Sequence, residues 1–184
     1  VMRTLLLSQQ IDEVVVNTDS EKLVADITKH FPTVIIHHRP EDICGDYVSM
    51  NDIIEFDLNH SDGDVYIQTH STNPVLSVKT IDAAIELFKN QKEKNDSVFS
   101  VTKWQTRLYY EDGKAINHNP KELIRTQDLP PVFEENSCFF IFTKESFKNA
   151  GNKRIGENPL MFPMDQLEAI DIDEPEDFQL AELV

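Results

Sequence analysis

Six short β-rich runs, spaced by stretches with helical periodicity, constrain this chain more than any other feature. The runs are Glu13-Val14-Val15-Val16-Asn17, Thr33-Val34-Ile35-Ile36-His37, Asp64-Val65-Tyr66-Ile67-Gln68, Ser97-Val98-Phe99-Ser100-Val101, Cys138-Phe139-Phe140-Ile141-Phe142 and Glu168-Ala169-Ile170-Asp171-Ile172. Apolar runs of this length suit strands covered on both faces. Between them, Val24, Ile27 and Phe31 recur at helical spacing, as do Met50, Ile53, Ile54 and Leu58, and Ile81, Ala84, Ile85 and Phe88. Thr18 and Glu21 have the spacing of a capping box, Ser77 or Thr80 can cap the helix through Ile81, and Asp173 stands ahead of a helix that starts at Pro175. Strands alternating with helices imply right-handed βαβ units. The expected fold class is therefore α/β, a three-layer, doubly wound, mostly parallel sheet.

One stretch breaks the rhythm. Residues 102–136 carry Trp104, Tyr109, Tyr110, an Asp112-Gly113 turn and Pro130-Pro131, which read as an inserted excursion with a hairpin over Arg107–Tyr110. A length of 184 residues fits a single domain with this insertion. No apolar run approaches the ~18 residues that span a bilayer, and no signal peptide is visible at Val1–Leu7. A net charge of −16 argues against a nucleic-acid partner and suggests a soluble, cytoplasmic protein, yet it leaves room for a nucleotide held by a few cations and a metal. Cys44 and Cys138 match no metal or redox spacing and read as thiols in a reducing compartment.

In such a fold ligands bind beyond the carboxyl ends of the strands, so the segments there hold the candidate residues. Asp171 and Asp173 project to one face of an extended segment, where two carboxylates favour a cation between them; Mg²⁺ suits such oxygens together with phosphate. The alternative is that Asp173 caps the following helix. Arg39, after His37-His38, offers a planar fork to a pyrimidine or phosphate, or is a surface residue. Gln68, Thr72 and Asn73 can hydrogen-bond a sugar or simply form a turn. Arg125 can clamp a carboxylate. With five glycines in the chain there is no Gly-rich phosphate cradle, and no catalytic triad can be read out.

Taken in order, these segments resemble the acylneuraminate cytidylyltransferase family. Val14-Val15-Val16-Asn17-Thr18-Asp19-Ser20 is similar to its strand ending in S/N-T-D-S. Arg39-Pro40 with Asp46 and Ser49 is similar to R-P…D-x-x-S. Gln68 to Leu76 resembles Q-P-T-S-P-L, although here it reads Q-T-H-S-T-N-P-V-L. Arg125, Gln127, Leu129 and Pro130 with Glu135-Asn136 resemble R-x-Q-x-L-P…N-G, with Ser137 where Gly is usual. Ala169 to Asp177 resembles the I-D-I-D-x-P-E-D ending. The resemblance implies a nucleotidyltransferase-like fold and a reaction in which the anomeric hydroxyl of an acidic nine-carbon keto sugar attacks the α-phosphate of CTP. It further implies that Asp171 and Asp173 hold Mg²⁺ on the phosphates, that Arg39 and Ser49 contact the cytidine side, and that Gln68, Thr72, Asn73, Arg125 and Gln127 line the sugar pocket. The inserted excursion corresponds to the family's dimerisation segment, which implies a homodimer.

The family's opening strand and I-P-A-R-x-G-S-K loop have no counterpart here, and the chain is expected to start within the helix that follows, at about Val1 to Gln10. Loss of a central strand should leave unpaired sheet edges. The protein is expected to extend beyond this sequence, the alternative being a non-catalytic remnant module. A nucleotide-sugar-dependent glycosyltransferase with a D-x-D metal motif is the other competing reading. The variant Thr72-Asn73-Pro74 loop suggests a non-standard sugar among sialic, legionaminic or pseudaminic acid and eight-carbon relatives.

Overall fold

The computed structural model describes all 184 residues, Val1–Val184. Twelve elements run in the order α1 (Met2–Leu7), β1 (Val15–Thr18), α2 (Glu21–His30), β2 (Ile35–His38), α3 (Met50–Asn59), β3 (Tyr66–Thr69), α4 (Val78–Gln91), β4 (Ser97–Trp104), β5 (Val132–Phe142), α5 (Lys144–Asn149), β6 (Pro159–Met164) and α6 (Pro175–Glu182). Most helices start where a local polar side chain satisfies a free N–H group, whereas α1, which begins after Val1, has no such cap. Ser20 Oγ accepts from Leu23 N in α2, Ser49 Oγ from Asn51 N in α3 and Ser77 Oγ from Thr80 N in α4. Thr18 does not cap α2: its hydroxyl accepts the N–H of Ser20 instead and sets the turn into the helix.

The strands form two sheets. β1 and β2 pair in parallel, and the other four lie in the order β3-β5-β4-β6. β4 and β6 are parallel, whereas β5 runs antiparallel to both β3 and β4. The sheet is thus mixed rather than mostly parallel. The reversal has a simple cause: β4 reaches β5 through the loop at 105–131, with no crossover helix to return the chain in the same direction. β1 pairs only with β2 and β3 only with β5, so each keeps one open edge.

Strand β5 organises the core because its side chains alternate between two helical layers. Phe139 and Ile141 pack with Val98 of β4 and with Ile81, Ala84, Ile85 and Phe88 of α4. Phe140 and Phe142 pack on the other face with Ile54 and Leu58 of α3 and Phe147 of α5. Helices on both faces of one sheet make three layers. Each of these β5 side chains is fully or almost fully buried, and each contributes roughly 1.5–3 kcal/mol of transfer free energy.

The sixth expected strand, at Glu168–Ile172, is not one. The edge strand is β6, whose sequence Pro-Leu-Met-Phe-Pro-Met has two residues without a backbone donor. At a sheet edge that loss is tolerated, because one side of the strand has no ladder to complete. The hairpin in the long loop is formed as expected: Tyr110 N donates to Lys114 O at 2.8 Å and Ile116 N to Leu108 O at 2.9 Å. Gly113 takes φ 82 in its turn, a conformation in which a Cβ is strained.

Candidate functional site

The carboxylate segment Ile170–Asp173 lies outside the sheet ladder, and its position is set by the loop after β3. Ile172 N donates to Thr72 O at 2.9 Å, and Asn73 Nδ2 donates to Ile170 O at 3.3 Å. Asn73 is fully buried, so its amide holds the segment and does not meet solvent. Two buried polar atoms here have no partner, Asn73 Oδ1 and Asp171 Oδ1. An unpaired buried acceptor costs about 1–3 kcal/mol, and for Asp171 a cation at Oδ1 would remove that cost. Asp173 does not cap α6. Glu174 is the cap residue, and the N–H groups of Asp173 and Glu174 both donate to Asp177 Oδ2, at 3.2 and 2.9 Å. The Asp173 carboxylate is thereby left exposed and uncommitted.

Asp171 and Asp173 line one cleft of about 250 Å³, together with Thr102 of β4 and Glu134 to Ser137 of β5. A β-bulge shapes its wall. The β4–β5 register runs Phe99↔Phe140 and then Val101↔Glu135, so extra β5 residues arch out of the ladder. Ser100 Oγ bridges the gap, accepting from Phe139 N at 3.0 Å and donating to Phe139 O at 3.2 Å. Ser137 sits in the arch with φ 55, a left-handed conformation that glycine adopts without strain. That is the physical reason for a glycine at this place in the resembling segment. The oxygen donors of Asp171 and Asp173 fit Mg²⁺, which takes one or two carboxylates and fills its remaining positions with phosphate and water. No cluster of three His, Cys, Asp or Glu side chains offers a closed metal cage.

Around Arg39 a separate network forms at the ends of β1 and β2. Arg39 Nε donates to Asn17 Oδ1 at 2.8 Å and Nη2 to Asn17 O at 3.1 Å. Asn17 Nδ2 donates to Asp57 Oδ1 at 2.7 Å, and His37 Nδ1 meets the same oxygen at 2.7 Å. Because an ionised carboxylate only accepts, Asp57 fixes which end of the Asn17 amide faces Arg39. The fork is held from one side and Nη1 makes no hydrogen bond. Ser49 is exposed at the start of α3, its oxygen engaged in the cap.

Gln68 lies at the end of β3 beside a residue that sequence reasoning missed. Arg154, in the loop between α5 and β6, donates from Nη1 to Gln68 Oε1 at 2.9 Å and faces His70 Nε2 at 3.2 Å. Its guanidinium lies over Phe140, 3.7 Å from the ring centre. Nothing in the spacing of Lys153-Arg154 marks it, since its partners come from β3 and β5. Arg125 and Gln127, by contrast, do not join the other candidates. Arg125 is exposed and pairs within its own loop with Asp128, at 2.7 and 3.1 Å, and the Gln127 carbonyl accepts from Gln105 Nε2 at 2.8 Å. Cys138 is buried beneath the cleft; burial, with Asp171 and Glu168 adding, pushes its thiol up to about 12, which leaves it inert as a nucleophile.

Residues 1–181 match the family described as Cytidylyltransferase. The chain is 24% identical over 189 residues to post-translational flagellin modification protein B of Campylobacter coli, covering 96% of this chain and 78% of that protein. It is 28% identical over 189 residues to N-acylneuraminate cytidylyltransferase A of Danio rerio, covering 99% of this chain but 43% of that one, so it spans less than half of that relative's length. Among solved structures it is similar to CMP:2-keto-3-deoxy-manno-octonic acid synthetase complexed with CTP, with a TM-score of 0.65 at 10% identity over 99% of this chain and 86% of that chain.

Proposed function

Because the chain belongs to the cytidylyltransferase family, we propose that it joins CMP from CTP to an acidic nine-carbon keto sugar of the sialic acid type and releases pyrophosphate. The observation that carries this reading is the Asp171–Asp173 pair on one cleft, with a buried Asp171 oxygen that lacks a partner and a backbone tie to the loop after β3. The Danio rerio relative is named for this reaction, and the similar fold named for an acidic keto sugar was solved with CTP.

In this reading the sugar's anomeric oxygen attacks the α-phosphorus, the bond to the bridging oxygen breaks, and pyrophosphate leaves. Such transfers depend on positioning and charge stabilisation more than on covalent help from the protein. Asp171 and Asp173 would hold Mg²⁺, whose charge offsets that of the phosphates. Arg39, oriented by Asn17 and Asp57, receives the cytidine side with Ser49. Gln68 and Thr72 face the sugar, while Asn73 acts by holding Ile170. Arg125 and Gln127, standing apart on the excursion, serve the site of a second copy in a homodimer. Residues 1–184 act as a single domain carrying that excursion, in a cytoplasmic setting that suits its two free thiols.

The carboxylate pair is tested by Asp171→Asn and Asp173→Asn in the protein as encoded in its gene. Each is expected to cut pyrophosphate release at least roughly 100-fold, the loss typical of removing one charge-stabilising group, with circular dichroism unchanged. Undiminished release at ordinary Mg²⁺ overturns the assignment.

A further inference from the structure

We propose that Arg154 selects the acidic sugar by receiving its carboxylate next to Gln68. This deepens the proposed function and rests on it.

The loop that carries Arg154 is held from both sides. Arg154 N donates to Asn51 Oδ1 at 3.4 Å and Gly156 N to Ser97 Oγ at 2.8 Å. Asp96 accepts from Glu157 N at 2.8 Å and from Asn158 N at 3.1 Å. At Gly156 an added Cβ would fall 2.1 Å from the Asp96 carboxylate, so the glycine is what allows this close clasp. A guanidinium on such a loop loses little further freedom when a ligand arrives.

The guanidinium has unused capacity. Of the five N–H donors on an arginine, the two on Nη1 point to Gln68 and His70. Nε and Nη2 make no hydrogen bond. Nη2 and Nε form the edge that matches a carboxylate with two parallel bonds. The nearest acidic group, Glu135, stays 3.9 Å from Nη2 and is 43% exposed, so it neutralises the charge only partly. The Arg154 side chain is 20% exposed. A cation so enclosed, stacked on Phe140 and short of a counter-ion, gains from an anionic ligand. Burial also holds its pKa below the usual arginine value, against the opposing pull of Glu135. With Glu134, Glu135, Asp171 and Asp173 on the cleft wall, an acidic sugar needs one such cation to enter.

The test is steady-state pyrophosphate release by the gene-encoded protein, its R154Q and R154K variants, with CTP, an acidic nine-carbon keto sugar and the same sugar as its carboxamide. R154Q is expected to raise KM for the acid about 10- to 100-fold, matching the ~1.5–3 kcal/mol of a hydrogen bond to a charged group. KM for CTP should stay within about 2-fold, KM for the carboxamide should not rise, and R154K should recover part of the loss. Unchanged KM for the acid in R154Q, or equal rises for the acid, the carboxamide and CTP, overturns the inference while leaving the reaction standing. No turnover of any acidic sugar by the unaltered protein overturns the proposed function and this inference with it.

Discussion

His70 illustrates how one residue can report on the site. Its Nε2 lies 3.2 Å from Arg154 Nη1, a geometry that needs an unprotonated acceptor nitrogen. Burial first, then the Arg154 charge, lowers its pKa from 6.5, with Asp171 opposing. A depressed folded-state pKa means that below about pH 6.5 the unfolded chain binds a proton that the folded one does not. The contribution is complete above that pH and is lost as the pH falls towards the folded value. The slope is at most about 1.4 kcal/mol per pH unit, trimmed because the ring is only half-buried. Urea denaturation of the unaltered protein and H70Q between about pH 7.5 and 5.5 measures it: the stability difference should shrink on acidification. A difference that stays constant or grows contradicts the assignment. Asp171 and Asp173 were legible in the sequence because a short spacing encodes them. Arg154 and Asp57 were not, since each meets its partners only after distant strands and helices have packed.

At the scale of elements, the runs with uninterrupted apolar character were the legible ones. β1 to β5 fall where Val, Ile and Phe cluster, although β4 and β5 extend well past the short runs that announce them. β6 was hidden because Pro159 and Pro163 argue against a strand unless its place at the edge is known. Glu168–Ile172 looked like a strand because Ala169, Ile170 and Ile172 form a short apolar run, but its polar ties run to Thr72 and Asn73 instead of a ladder. The hairpin in the 105–131 loop was legible from its turn residues, whereas the ends of the expected 102–136 excursion belong to β4 and β5; the loop also exposes apolar side chains: Leu123 at 93%, Tyr110 at 57% and Tyr109 at 52%. In the proposed homodimer these meet a second copy. Leu123→Asp should therefore weaken the dimer roughly 10-fold or more in sedimentation velocity, with unchanged circular dichroism. A monomeric unaltered protein, or a dimer indifferent to the change, contradicts this use of the excursion.

For the whole molecule, alternation of strands and helices carried the three-layer α/β reading, while strand direction was only partly legible. Periodicity marks a strand as buried; it does not say whether a loop or a helix returns the chain, and the reversed β5 follows from that difference. The fold brings the Asp171–Asp173 segment and the bulged β5 to one cleft, and the loop after β3 holds that segment in place. What this arrangement does is best decided by one assay: pyrophosphate release from CTP and Mg²⁺ by the protein as encoded in its gene, with a panel of acidic nine- and eight-carbon keto sugars and with ATP and UTP as alternatives. Release that requires CTP and one nine-carbon acidic sugar is the predicted result. A folded protein that releases none across the panel, or transfers a sugar from a nucleotide sugar instead, contradicts the cytidylyltransferase account.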